Sequence, residues 1–188
     1  MHINEPKIDI DYLELKKLLD GAKNDNQLFE LIVNSPFRYR LETNLLFLGI
    51  VVLLLVDAEA EFIERIALSN TELAKKTKEV SVLPFEEIKI PFNDENNIIA
   101  TAIRTGEIKD TTDWKFLFTP TLRPADARFN QANAGIAYSV VCPLTARNGG
   151  ALIFSYYQYK DKTGKEQLKF MSEYSRIVND SLKNLKKG

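Results

Sequence analysis

Two apolar runs separated by Asn148-Gly149-Gly150 restrict this chain more than any other stretch. Residues 136–145 and 151–159 are rich in branched and aromatic side chains, the composition of buried strands. Positive φ costs glycine little and is tolerated by asparagine, so the tripeptide suits a tight, twisted hairpin turn. Ile136, Tyr138, Val140 and Cys142 point to one side of the first strand, and Ala137, Ser139, Val141 and Pro143 to the other. Both sides are mostly apolar, which predicts a central strand covered on both faces. Pro143 has no N–H for a ladder, and pairing is expected to loosen there.

A length of 188 residues suits one domain with flanking helices and leaves room for a sizeable core. The net charge of −1 and the lack of a basic stripe exclude a dedicated nucleic-acid binder. A single cysteine excludes an internal disulfide and fits a reducing compartment. Residues 45–56 form the most apolar run, too short to span a bilayer as a helix. The N-terminal residues lack the basic and apolar regions of a signal peptide. These readings predict a cytoplasmic protein with neither nucleic acid nor membrane as partner.

Helical stripes are expected over residues 11–19, stopped at Gly21, and over residues 27–33, ended by Asn34-Ser35-Pro36. The polar residues 38–43 are ambiguous. Val51, Val52 and Val56 favour a central strand for the apolar run, with a core helix as the alternative. Residues 61–68 return as a second strand, with Phe62, Ile66 and Leu68 on one face together with Glu64. Ser69 and Glu72 have the spacing of a capping box, which predicts a helix to about Lys78. Ile88, Ile90 and Phe92 alternate, and Pro91 marks residues 85–92 as an edge strand. Asn93 is expected to cap a helix that ends at Thr105-Gly106, and residues 107–110 form a short strand. Residues 111–134 make a long aromatic connection, with one small helix expected over residues 126–133. A closing helix from about Lys165 carries an apolar seam through Leu168, Met171, Tyr174, Ile177 or Val178, Ser181 or Leu182, and Leu185.

The order of these pieces resembles a GAF domain. Ile90-Pro91-Phe92, the helix running into Thr105-Gly106, Ser139-Val-Val-Cys-Pro-Leu144 and Gly150-Ala-Leu152 carry the likeness, which covers residues 26–185. Residues 1–25 are then a tail and helix, and residues 186–188 a basic tail. The resemblance implies an α+β fold, profilin-like, with a central antiparallel sheet of five or six strands. The N- and C-terminal helices would pack on one face, and short helices and loops on the other. PAS and other profilin-like sensor folds share such a sheet. In GAF domains the second face often encloses a small molecule, while other members serve as dimerisation or relay modules. No output module fits in the remaining residues, so the domain is expected to act in trans or within a longer chain.

The candidate site lies between the sheet and residues 111–134. Trp114, Phe116, Phe118, Phe129 and Tyr138 would line it, and Arg128, Arg104 or Arg123 would pair with an anionic ligand. The competing reading, in which these aromatics complete the second hydrophobic layer, is the preferred one. Tyr156, Tyr157 and Tyr159 are candidates for an exposed or dimeric face. Cys142 is expected to be a core residue; it lacks the further thiols used by family members that reduce methionine sulfoxide, and a neighbouring histidine for a bilin. His2 is the only histidine, which leaves no catalytic triad and no metal site, and no cofactor is assigned. The expected function is a non-catalytic sensor that binds a small molecule and relays through its terminal helices. The alternative is a ligand-free scaffold, and a homodimer through those helices is expected in either case.

Overall fold

The long apolar run forms strand β1 (Leu48–Asp57), buried along its whole length except at Asp57. The computed structural model describes residues 10–39, 47–59, 61–157 and 164–185. The other strands are β2 (Phe62–Leu68), β3 (Ile90–Pro91), β4 (Lys109–Thr111), β5 (Tyr138–Leu144) and β6 (Gly150–Tyr156). They form a six-stranded sheet in the order β3-β2-β1-β6-β5-β4, antiparallel at every pairing. β1 and β6 are central, as a fully apolar strand requires.

Three helices cover one face: α1 (Tyr12–Asp20), α2 (Asp25–Asn34) and α7 (Lys165–Asn184). The other is covered by α3 (Glu72–Val80), α4 (Ile98–Thr105), α5 (Lys115–Phe118), α6 (Pro124–Ala134) and a 3-10 turn at Phe85–Glu87. Side-chain alternation splits the core in two. Leu53, Tyr138, Val140, Cys142 and Phe154 meet the terminal helices, while Val52, Leu54, Val141 and Ile153 meet the short ones. This is the α+β arrangement that the resemblance implied.

The hairpin holds with one change in its turn. β5 and β6 pair from Tyr138↔Tyr156 to Leu144↔Gly150. Positive φ falls on Arg147 (52°), Asn148 (69°) and Gly149 (104°), whereas Gly150 belongs to β6. Gly150 is needed for close approach instead, since a Cβ there would lie 2.4 Å from the Leu54 carbonyl oxygen. Pairing does not loosen at Pro143, which stays in register with Ala151. β4 ends opposite Val141, so the outer edge of β5 is open beyond it. Ile136 precedes the strand and joins the short-helix cluster, not the face of Tyr138.

β2 departs most from simple alternation. Phe62 is 38% exposed and Ile63 is fully buried, the reverse of the expected faces. A bulge opposite Leu53 and Leu54 leaves Ile66 unpaired, between Arg65↔Leu54 and Ala67↔Leu53. Ile63 therefore faces the short helices, while Ala67, of the same parity, joins the terminal-helix cluster.

Caps differ from expectation by one or a few residues. Thr71 caps α3 through Ala74 N–H, and Ser69 instead accepts from Val51 N–H in β1. Asn97, not Asn93, caps α4. Residues 85–92 hold a 3-10 turn and the two-residue β3 in place of a full strand. The connection 111–134 carries two helices rather than one. The apolar seam of α7 is consumed inside the chain: Met171, Tyr174, Ile177, Val178 and Leu182 are buried against the sheet with Leu15 and Leu19 of α1. Leu13 and Leu168 remain exposed. Tyr156 is buried and Tyr157 is exposed, while His2 and Tyr159 lie outside the described residues.

Candidate functional site

Short helices leave carbonyls and amides without partners, and amide side chains supply them throughout the layer over the second face. Asn97 Oδ1 accepts from Ile99 and Ala100 N–H at the start of α4, while its Nδ2 donates to the Leu117 and Thr119 carbonyls. Gln131 Oε1 accepts from Trp114 N–H (2.8 Å), and Nε2 donates to the Thr112 and Ile136 carbonyls. Asn130 ties α6 to Ser81 and Val82 at the end of α3. The covering layer is thus a set of short pieces locked by three buried amides.

Trp114 and Phe118 point into this layer, packed edge to face with centroids 5.3 Å apart. The Trp114 indole N–H donates to Ser139 Oγ of β5 at 3.0 Å. Phe116 and Phe129 lie outside it, 42% and 54% exposed. Arg128 pairs with Asp113, and Arg123 with Asp126 on its own helix. Arg104 donates to the Phe92 and Asp94 carbonyls and holds that loop to α4. Tyr138 is on the opposite face, stacked on Tyr156 at 4.8 Å in the terminal-helix layer. The period-two geometry of β5 sets this: Ser139 faces Trp114, so Tyr138 faces away. Of the expected site residues, Trp114 and Phe118 are therefore brought together, and none of the three arginines points to them.

The cation beside these rings is Arg65, which sequence reasoning missed. Its guanidinium carbon lies 3.9 Å from the Phe85 ring centroid and 5.4 Å from that of Phe118. Its Nε is buried and has no hydrogen-bond partner, and no carboxylate among the described residues forms an ion pair with it. Burial pulls the guanidinium down to about 9, against the opposing field of Glu86, so it stays charged at neutral pH. Ring faces offset part of the lost hydration, but they do not replace an acceptor. The available signal was an arginine beside Glu64 in a mostly apolar strand, and strict alternation hid which face it met.

Beside Phe85 lies an open groove of about 360 Å³, lined by Ile66, Leu68, Lys75, Lys78, Phe85 and Glu86 among others. Lys78 is committed to Glu86 at 3.4 Å. Among the described residues no cluster of His, Cys, Asp and Glu could hold a metal ion. Cys142 is 1% exposed, and burial pushes its thiol up to about 12, far from a reactive thiolate. A lone guanidinium set between aromatic rings is suited to holding an anion in place.

No family profile and no curated protein matches the chain. Solved structures do. The GAF domain of an Acinetobacter phosphoenolpyruvate-protein phosphotransferase is 8% identical with a TM-score of 0.59, covering 91% of this chain and 89% of that one. The free methionine-R-sulfoxide reductase of Neisseria meningitidis, in complex with its substrate, is 11% identical at a TM-score of 0.59, covering 92% and 86%. The GAF domain of a two-component sensor histidine kinase from Bacillus halodurans is 16% identical at a TM-score of 0.51, covering 80% and 92%. At such identities the likeness is one of architecture, and the architecture of this chain is that of a GAF domain.

Proposed function

We propose that the chain is a non-catalytic sensor domain that binds a small molecule between the sheet and the layer holding residues 111–134. The observation that carries this reading is Arg65, a charged group whose Nε is buried beside Phe85 and Phe118 with nothing to accept its proton. A buried charged N–H without an acceptor is costly to fold around, and a bound anion removes that cost. Contacts of the hairpin turn with both helical layers support a relay to the terminal helices. A Cβ at Gly149 in the hairpin turn would lie 3.0 Å from Ile103 of α4, while Arg147 in the same turn clamps Asp25 of α2 and donates to the Leu182 carbonyl of α7. Native mass spectrometry of the purified chain is the direct test: a retained small molecule supports a sensor, and a bare chain that responds to no ligand panel overturns it.

The exposed rings Phe116 and Phe129 on the adjacent helices α5 and α6 favour a second reading, a scaffold that docks a partner or a second copy. Sedimentation at high concentration separates the two readings. Self-association lost in Phe129→Glu supports the scaffold, and a monomer throughout removes the homodimer.

A further inference from the structure

We infer that the ligand is a monoanion, a carboxylate carried on an apolar body, with its two oxygens on the Arg65 guanidinium and its body against Phe85 and Phe118. This rests on the sensor reading above and adds the class of molecule sensed. Charge supplies the first argument. Arg104 is bonded to backbone carbonyls, and Arg123, Arg128 and Lys78 are each paired with a carboxylate, whereas the buried Nε of Arg65 has no acceptor among the described residues. One uncompensated positive charge is neutralised by one negative charge. A phosphate dianion would bring excess charge into the field of Glu86, which already acts on Arg65.

Geometry supplies the second. A guanidinium presents parallel N–H groups that match the two oxygens of a carboxylate. The third argument is the surroundings. Phe85 and Phe118 are 6% and 7% exposed, so the guanidinium lies against buried apolar rings.

Trp114 is the sole tryptophan and touches Phe118, so its emission reports on this site. The experiment titrates the full chain with 4-methylpentanoate, 3-phenylpropanoate, 3-phenylpropan-1-ol and inorganic phosphate. Saturable changes are expected with a carboxylate, with the matched alcohol weaker by roughly tenfold or more. Arg65→Gln is expected to weaken carboxylate binding to a similar degree, and Arg65→Lys less so. Thermal melts of both variants establish that they are folded. Equal binding of acid and alcohol overturns the inference, as does tighter binding of phosphate, an unchanged affinity in folded Arg65→Gln, or no response to either carboxylate at millimolar concentration. A retained molecule without a carboxylate in native mass spectrometry overturns it too, while leaving the sensor reading standing. A bare chain that responds to nothing removes both.

Discussion

A guanidinium N–H placed against a sheet loses hydration that only an acceptor restores, and the buried Nε of the half-buried Arg65 has none. Replacing it with an apolar side chain of similar length removes that deficit. Arg65→Met is therefore expected to raise stability by about 1 kcal/mol in the absence of ligand, seen as a higher melting temperature. A lower melting temperature would mean that the two ring contacts already compensate the charge. Gly150 has the opposite sensitivity. A methyl group there meets the Leu54 carbonyl oxygen at 2.4 Å in the centre of the sheet, where backbone cannot move aside. Gly150→Ala should cost about 2–3 kcal/mol in urea denaturation. Neither role was legible locally, because Arg65 depends on the Phe85 and Phe118 rings and Gly150 on the Leu54 carbonyl, all distant in the chain. Cys142 was legible, since a lone thiol in an apolar strand is most often a core residue, and it is buried here.

Among the elements, the short helices depend on single amides. Asn97 both caps α4 and holds the last carbonyls of α5, all through one buried side chain. Asn97→Ala removes the cap and leaves buried groups unpaired, with an expected loss of about 2–4 kcal/mol by chemical denaturation. Asp113 joins α5 to α6 by accepting from Lys115 N–H and Arg128 Nε. Burial raises its pKa, but the Arg128 and Lys115 hydrogen bonds outweigh this, and its carboxyl sits below the ordinary value. A carboxyl depressed in the folded state contributes stability above its unfolded pKa of about 4, and that contribution is lost as pH falls through the folded value. Denaturation curves between neutral and acid pH should therefore show a smaller acid loss in Asp113→Asn than in the parent. Helix positions could be read from apolar spacing, as in α1, α2 and α7. The caps could not be read as reliably, since Ser69, Thr71, Asn93 and Asn97 are all acceptable capping residues and the fold chooses among them.

For the molecule as a whole, the turn between β5 and β6 is where the two layers meet. Arg147 adopts a positive φ of 52°, places two hydrogen bonds of 2.7 Å on Asp25 and a third of 3.2 Å on the Leu182 carbonyl, and lies 5.6 Å from the Phe29 ring. Arg147→Met is expected to lower stability by about 1 kcal/mol, since Asp25 remains partly solvated. Hydrogen exchange should rise in α2 and in the last turns of α7 while α4 and α6 keep their protection. Uniform deprotection would show that the turn acts only through global stability and carries no directed coupling.

Period-two alternation, apolar continuity in β1 and the helical seam of α7 were written in the chain, because each depends on neighbours a few residues apart. They placed the central hairpin and the terminal helices, while the antiparallel sheet of five or six strands between two layers followed from the resemblance to GAF domains, and the sheet has six. The choice of faces belonged to the folded molecule. One residue added at the β2 bulge changes which side chains look inward, and the facing of β5 sends Tyr138 away from Trp114. The apolar seam that suggested a dimer is covered by the chain's own sheet and first helix, a match between distant segments that no local pattern records.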